Sequence, residues 1–400
     1  MQFKPVFSSL LAFCVLATLA GSTALPDLEV LSTDTSGDRV PLPASAGWKP
    51  SRVCRLKPLG AGKDDTNQFE PKVEWWLEPE NTYRVVFIQS QASWFVVTGS
   101  DFVIDAHKTG GVHGNGQPWT GDGRPIAFTV HKARDAVIKD FSILFPPFWA
   151  STVAESERVV FDGMVVNATN TDPRWAGQTV VWNTDGIDTY RSDRITLRNW
   201  DVTCGDDCIA VKGNSTNIVA RDFVCRGGTG VAFGSLGQYN GIHDIVKNVL
   251  IENVKILRLD PKVQPNMNHG IYFKAWDGVA TGTPPTGGGG GSGLVENAIF
   301  RNFVFDRVQT GFQIVQNFGA PVDEVEVSSK VKFSKMLFGN IRGTTNESTI
   351  VRFDCSSVEH CSDIRFKNVN VKGAGIQGAK DEYICKNAEG ITGLPVPCGN

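Results

Sequence analysis

The sequence predicts an all-β chain folded as a single-stranded right-handed parallel β-helix, and three observations carry that prediction. From Tyr83 onward the chain is a series of short apolar runs rich in Val, Ile and Phe, separated by Asn, Asp, Gly and Thr. Alternation within the runs has the period of strands, and no long stretch has the period of a helix. One phrase recurs at variable intervals, as the coils of a solenoid do when loops are inserted between them. A β-propeller or a sandwich is the rival architecture, but propeller blades are longer and more uniform than these units.

The recurring phrase reads AVIKDFSIL (136–144), VVFDGMVV (159–166), ITLRNWDV (195–202), IVARDFVC (218–225), VLIENVKI (249–256), AIFRNFVF (298–305), VKFSKMLF (331–338) and IRFKNVNV (364–371). One position in it holds Asp140, Gly163, Asn199, Asp222, Asn253, Asn302, Lys335 and Asn368. The steps between these positions run from 23 to 49 residues, so a coil of 23 is lengthened by loops. Apolar residues alternate on either side of the polar position, the pattern of a strand, a corner and a second strand. The asparagines at the corner read as structural, satisfying buried backbone groups.

The two ends differ from the middle. Residues 25–79 are irregular, with Lys49–Pro58 a candidate entry strand, and the cysteine-rich C-terminal segment fits a cap over the other end of the stack. The insertion TGTPPTGGGGGSG (281–293) explains the longest step and reads as a flexible loop. Ahead of all this, Met1–Ala24 carries an early lysine, an apolar run from Leu10 to Ala20 and small residues at Ser22 and Ala24, the pattern of a secretory signal. The expected organisation is a signal at 1–24 and one β-helix domain over 25–400.

With 400 residues, 41% hydrophobic and 20% charged, the chain can bury a large core. A net charge of −3 gives no electrostatic case for nucleic acid or an anionic membrane surface, and any polyanionic partner must be held by local cations. Nine cysteines leave eight once Cys14 departs with the signal, an even number suited to an oxidising compartment. Sequons at Asn167, Asn214 and Asn346 agree with a secreted glycoprotein. The expected product is an extracellular monomer that partners neither nucleic acid nor membrane.

The chemistry concentrates between Asn183 and Gly237. Asp185 and the pair Asp206 and Asp207 lie 21 and 22 residues apart, close to one coil, so a solenoid stacks them on neighbouring turns. Asn-Thr-Asp-Gly or Gly-Asp-Asp alone reads as a turn. Both in one-coil register read as a site: three crowded carboxylates repel, one of them retains a proton, and a protonated acid beside carboxylates is what glycoside hydrolysis requires.

These motifs, Asn183-Thr184-Asp185, Gly205-Asp206-Asp207-Cys208, and Cys225-Arg226-Gly227-Gly228-Thr229-Gly230 followed by Gly234-Ser235-Leu236-Gly237, resemble the successive motifs of glycoside hydrolase family 28, the polygalacturonases. The resemblance extends from Tyr83 to Cys398, includes DCSSVEHC (354–361), and in the wording NTDGIDTYRSD and GSLGQY is nearest the fungal exo-acting branch. It implies a right-handed parallel β-helix, inverting hydrolysis without metal or organic cofactor, Asp206 as general acid, and Asp185 and Asp207 activating water. Inversion would place acid and base roughly 6.5–9.5 Å apart. Cys208–Cys225 and Cys355–Cys361 resemble family bridges, Cys385–Cys398 would close the tail, and Cys54 and Cys204 remain.

Two motifs depart from the family pattern. Thr229 stands where the family carries histidine, and a hydroxyl neither titrates near neutrality nor holds a positive charge. Tyr272-Phe273-Lys274 stands where Arg-Ile-Lys is usual, replacing a bidentate guanidinium with a ring suited to stacking on sugar. Lys274, Tyr272, Thr229, Gln238 and Tyr239 are the candidate sugar contacts; His269 and His243 are nearby imidazoles that read first as polar surface. Asp188 reads as a supporting residue and Trp276 as cleft wall or core cover. The expected activity is exo-hydrolysis of terminal α-1,4-linked galacturonate from pectic poly- or oligosaccharides. Release of rhamnose is the alternative, favoured by Thr229 and Tyr272. A calcium-dependent pectate lyase and an inactive pectin-binding β-helix are the rivals from other classes.

Overall fold

The computed structural model describes residues 78–86, 91–114, 123–169, 172–178, 180–319, 328–373 and 380–399, together with the short antiparallel pair Val30–Leu31 and Val40–Pro41. The signal segment, the candidate entry strand Lys49–Pro58 and Cys54 lie outside the described residues.

Among the described residues, twenty strands form one continuous sheet system, paired almost throughout in parallel with the strand one coil away. This is the right-handed parallel β-helix expected from the repeat. Two kinds of strand alternate along the chain. Long strands such as Asp193–Thr203, Ser215–Arg226, His243–Leu257 and Ser292–Val308 turn a corner in their interior. Shorter ones, Ile187–Tyr190, Asp207–Val211, Gly230–Leu236, His269–Trp276 and Thr310–Phe318, stack into a second face.

Parallel pairing sets residues of like character over one another, about 4.8 Å apart. Phe300, Phe338 and Phe366 are in register on three consecutive coils, with neighbouring ring centroids 5.0 Å apart. Trp200 lies flat on Phe223 at 5.5 Å. The core is therefore a column of apolar side chains running the length of the solenoid.

The corner position is left-handed in every coil: φ is +52° at Asp140, +58° at Asn199, +61° at Asp222, +58° at Asn253 and +61° at Asn302. Asn and Asp tolerate this region better than other side chains. Their side chains are exposed and bond one another, Asn253 to Asp222 at 2.9 Å and Asn302 to Asn253 at 3.0 Å. The asparagines thus form an external ladder and do not satisfy buried backbone groups. The register also moves one member: Arg301 pairs with Gly339, so Asn340 continues the ladder, bonding Asn302 at 3.3 Å and receiving Asn368 at 2.9 Å. Lys335 belongs to the preceding corner, where Asn217, Asn248 and Asn297 are likewise left-handed and bonded in a row. Lys335, five residues before the ladder site, also sits within an apolar-alternating phrase, which is why the 331–338 phrase aligned one corner early.

Among the described residues, three disulfides join Cys208 to Cys225, Cys355 to Cys361 and Cys385 to Cys398. Cys204 is a buried thiol whose Sγ donates to the carbonyl oxygen of Asp206. The glycine-rich insertion is ordered, contrary to the flexible loop expected: Gly289 and Gly291 donate to the carbonyls of Gln238 and Gly237, and the Gln238 amide donates to Pro285 and Gly287. Backbone acceptors on the neighbouring turn hold it where composition alone predicts freedom. Among the described residues, no helix is long and apolar enough to cross a membrane.

Candidate active site

The turn that enters the short-strand face places the three carboxylates together. Ile187, Ile209 and Val231 stack in register, so the residues just before them meet on successive coils. Thr184 Oγ1 accepts from the Gly205 amide at 2.9 Å and donates to the Val181 carbonyl, tying the two turns together. Close approach here requires glycine: a Cβ on Gly205 would lie 1.9 Å from the Val181 oxygen, and one on Gly186 2.5 Å from the Cys208 oxygen. One oxygen each of Asp185, Asp206 and Asp207 falls within 4.8 Å of the others. Asp185 and Asp206 stand on neighbouring coils and so inherit the strand spacing, and Asp207 follows Asp206 directly in the chain.

The three have different surroundings. Asp185 is buried, its Oδ1 has no hydrogen-bond partner, and burial followed by the charges of Asp188, Asp206 and Asp207 pushes it well above the usual carboxylate range. Asp206 is half-buried; its Oδ2 accepts from the Asn183 backbone amide at 3.1 Å and from Asn183 Nδ2 at 3.2 Å, and its Oδ1 from the Asp207 amide at 3.0 Å. Burial and the Asp207 charge nevertheless hold it above its ordinary value, opposed by Lys274. Asp207 is buried, with Lys274 Nζ 2.7 Å from Oδ2. The carboxylates of Asp207 and Asp206 hold the Lys274 ammonium above its ordinary value against the effect of burial.

A second buried pair underlies the first. Asp188 is fully buried beside Lys212 at 3.1 Å, and burial pushes Asp188 up to about 7 in spite of that lysine. Lys212 also sits 4.6 Å from the Trp149 ring centroid and donates to the Gly234 carbonyl at 3.3 Å. Four carboxylates thus share two ammonium groups in a poorly solvated space, which favours a proton on at least one carboxylate.

Thr229 does not stand apart as a sugar contact. Its hydroxyl donates to Asp207 Oδ1 in a short hydrogen bond, and Oγ1 lies 3.4 Å from Asp206 Oδ1, so it bridges the two carboxylates. Lys274 is likewise committed, and its ammonium lies 5.5 Å from the Tyr272 ring and 5.8 Å from the Phe318 ring. Tyr272 is partly buried, with burial raising its phenol to about 12, and it packs on the His269 ring at 4.2 Å. His269 is brought to the site: burial and then Lys274 lower it to about 4, so it is neutral at ordinary pH. His243 is exposed and bonds Ser292 at 2.8 Å, on the long-strand side. Gln238 is buried, and its side-chain Nε2 donates to the Pro285 and Gly287 carbonyls of the glycine-rich loop. Tyr239 packs beside a small cluster of Phe148, Trp149 and Tyr190. Trp276 is buried and donates to Ser235 Oγ at 3.0 Å.

Two residues escaped the sequence reading. Lys212 looked like any strand lysine; Ala210 pairs with Asp188 on the neighbouring coil, and Lys212 stands two residues further along, from where its ammonium reaches back to Asp188. Arg124 is 2% exposed and donates Nη1 to the Pro147 and Trp182 carbonyls at 2.9 Å each, with Nη2 3.4 Å from Asn183 Oδ1. It precedes the first recognisable phrase, and no local pattern announces it. As donors, the three carboxylates offer the oxygen set that a hard cation takes, and the positive charge beside them in this structure is the Lys274 ammonium.

A parallel β-helix that stacks three aspartates at one turn has the carboxylate set that glycoside hydrolysis uses. The chain belongs to glycosyl hydrolases family 28, whose profile matches residues 50–396, and it is a glycoside hydrolase. It is 38% identical over 90% of its length to an Aspergillus niger protein with the provisional name galacturan 1,4-alpha-galacturonidase A, covering 86% of that protein. An exopolygalacturonase of Cochliobolus carbonum is 34% identical, with 88% of this chain and 87% of that one aligned. An alpha-L-rhamnosidase of Aspergillus niger is 33% identical across 82% of this chain and 75% of its own. Among solved structures, the endo-xylogalacturonan hydrolase from Aspergillus tubingensis superposes with a TM-score of 0.61 at 22% identity, covering 76% of this chain and 79% of that one, a likeness of fold.

Proposed function

We propose that this enzyme removes terminal α-1,4-linked galacturonate from the non-reducing end of pectic chains. Its relatives named for galacturonidase and exopolygalacturonase activity support the reading, and the observation that carries it is the stacked trio of Asp185, Asp206 and Asp207 with Lys274 at 2.7 Å from one member. Asp206 protonates the leaving glycosidic oxygen: of the raised carboxyls it is the one that is only half-buried, and it is oriented by Asn183. Asp207 and Asp185 activate water, with the Asp207 charge compensated by Lys274. Asp185 and Asp188 contribute negative potential to the oxocarbenium-like transition state when ionised.

Thr229 takes up the link between acid and base. After one turnover Asp206 has lost a proton and a water-activating carboxylate has gained one. The Thr229 hydroxyl, in contact with both Asp206 and Asp207, supplies a path to restore them. Secretion through the 1–24 signal, glycosylation at Asn167, Asn214 and Asn346, and monomeric action on a pectic substrate complete the proposal.

Rhamnose release is the second reading. Lys274 is engaged with Asp207 and Tyr272 occupies the position beside it, which leaves little cationic character for the carboxylate of a galacturonate; a relative named for rhamnosidase activity points the same way. Incubating the purified enzyme with homogalacturonan and rhamnogalacturonan oligomers and identifying the monosaccharide released separates the two. Galacturonate from homogalacturonan is the expected product. Rhamnose alone would replace the first reading with the second, and a ladder of internal fragments would overturn exo action.

A further inference from the structure

Beside the catalytic turn stands an indole that the proposed chemistry does not use. Trp182 is 39% exposed although it directly precedes Asn183, the residue that holds Asp206. Its Cα is therefore about 3.8 Å from that of Asn183. Behind the ring lies the buried Arg124, with the guanidinium carbon 4.5 Å from the Trp182 ring centroid and 5.1 Å from that of Phe148. The same guanidinium donates to the Trp182 carbonyl. Both the backbone and the ring of Trp182 are thus fixed before any ligand arrives, while part of the indole faces solvent.

We propose that Trp182 is a sugar-stacking subsite for a pyranose ring of the substrate next to the scissile linkage, and that Arg124 couples this platform to the orientation of the acid. The inference rests on the reading of the Asp206 centre as the place of glycosidic cleavage. A galacto-configured pyranose presents the C–H bonds of C3, C4 and C5 on one face, which suits an indole; a pre-fixed ring loses little freedom when the sugar docks. The cation behind the ring lends the platform positive character, which suits a uronate better than a neutral sugar.

The coupling follows from the sharing of one guanidinium. Arg124 Nη2 lies 3.4 Å from Asn183 Oδ1, which turns Asn183 Nδ2 toward Asp206 Oδ2 at 3.2 Å. A donor at Oδ2 favours the ionised acid and so opposes the burial that keeps Asp206 protonated. Without the guanidinium the amide is free to rotate, and its oxygen would then face Asp206 and favour the protonated form. Arg124 is a positioning residue in this scheme, since it reaches the acid only through Asn183.

The test uses the full-length enzyme. In the Asp206→Asn background, which binds without turnover, trigalacturonate affinity is measured by calorimetry with and without Trp182→Ala; about tenfold weaker binding is expected from the alanine variant, and a conservative Trp182→Phe should recover most of it. Equal affinities would overturn the platform. A rhamnogalacturonan trisaccharide is run in parallel. If that ligand binds and trigalacturonate does not, the galacturonate reading fails, while the effect of Trp182→Ala on the ligand that binds still decides the subsite. Arg124→Lys in the otherwise native enzyme tests the coupling: the limb of kcat falling toward high pH, set by Asp206, should move to higher pH. A folded Arg124→Lys enzyme, by its thermal midpoint, with that limb unmoved would overturn the coupling.

Discussion

Two of the stacked polar columns in this protein have opposite characters. On the long strands, Asp222, Asn253, Asn302, Asn340 and Asn368 rise in an exposed ladder in which each amide donates to the residue before it. On the turn before the short strands, Asp185, Asp206 and Asp207 are crowded within 4.8 Å, and Asp185 Oδ1 has no donor at all. The same spacing produces both. An amide is donor and acceptor at once, so stacking amides is self-satisfying; ionised carboxylates only accept, so stacking them raises the energy of the charged state. The solenoid stores stability in one column and proton affinity in the other.

Replacing the acid should break the second column's chemistry without cost to the fold. Asp206→Asn is expected to lower kcat by on the order of 10²–10⁴-fold, with a thermal midpoint equal to or above that of the native enzyme because one like charge is gone. Turnover near the native level would remove Asp206 from its role. The released anomer, followed by proton NMR during hydrolysis, is expected to be inverted; retention would mean that the close approach of the carboxylates reflects a nucleophile.

Lys274→Met attacks the compensation that makes the column tolerable. Lys274 and Asp207 are both nearly inaccessible, so removing the ammonium leaves a buried carboxylate unpaired, at a cost of about 3–5 kcal/mol by chemical denaturation, together with loss of activity. The pH dependence of stability should agree. Asp185 and Asp206 are raised and Asp188 is raised to about 7. A carboxyl raised in the folded state contributes stability that is complete below its unfolded value near 4 and is lost as pH rises through the folded value. The thermal midpoint should therefore fall between about pH 4 and pH 8, and more shallowly in Asp206→Asn. A midpoint that rises over that interval would contradict the charge distribution described for the site.

The contrast between columns also marks what the sequence made legible. Near-coil spacing of Asp185 and Asp206 was readable because stacking converts sequence distance into proximity. The repeat exposed the ladder as well, except at Lys335, where two corners per coil offered two alignments and only the pairing of Arg301 with Gly339 chose Asn340. Side-chain engagement was not legible. Nothing in GSLGQY shows that Gln238 turns inward to hold the glycine-rich loop, and nothing in GGTG shows that Thr229 joins two carboxylates. Arg124 lies 59 residues from the Asn183 it touches, in a segment with no motif of its own. Contacts of that kind depend on how loops return to the stack, and their lengths carry no register.

Thr229 sharpens the comparison because a hydroxyl can donate as well as accept, beside carboxylates that only accept when ionised. Thr229→Val keeps its shape and removes the hydroxyl; kcat is expected to fall about tenfold or more with little change in KM, whereas Thr229→Ser should stay near native. If valine and serine behave alike, the bridge is structural only. A rise in KM matched by an equal fall in kcat/KM, with kcat unchanged, would return Thr229 to the sugar contacts.

The smallest effect belongs to the amide ladder. Asn302→Ala removes two exposed side-chain hydrogen bonds and places a Cβ-bearing residue without a local polar group at φ +61°. Net hydrogen bonds are worth about 0.5–1.5 kcal/mol each and the left-handed backbone about 1–2 kcal/mol, the exposed position favouring the low end. Asn302→Gly loses the same bonds but relaxes the backbone, so it should be the milder of the two in denaturant. Both should keep native kcat and the native pH profile, since the ladder and the carboxylates occupy different corners of the coil. A changed pH profile in either variant would mean that the two columns communicate through the strands that join them.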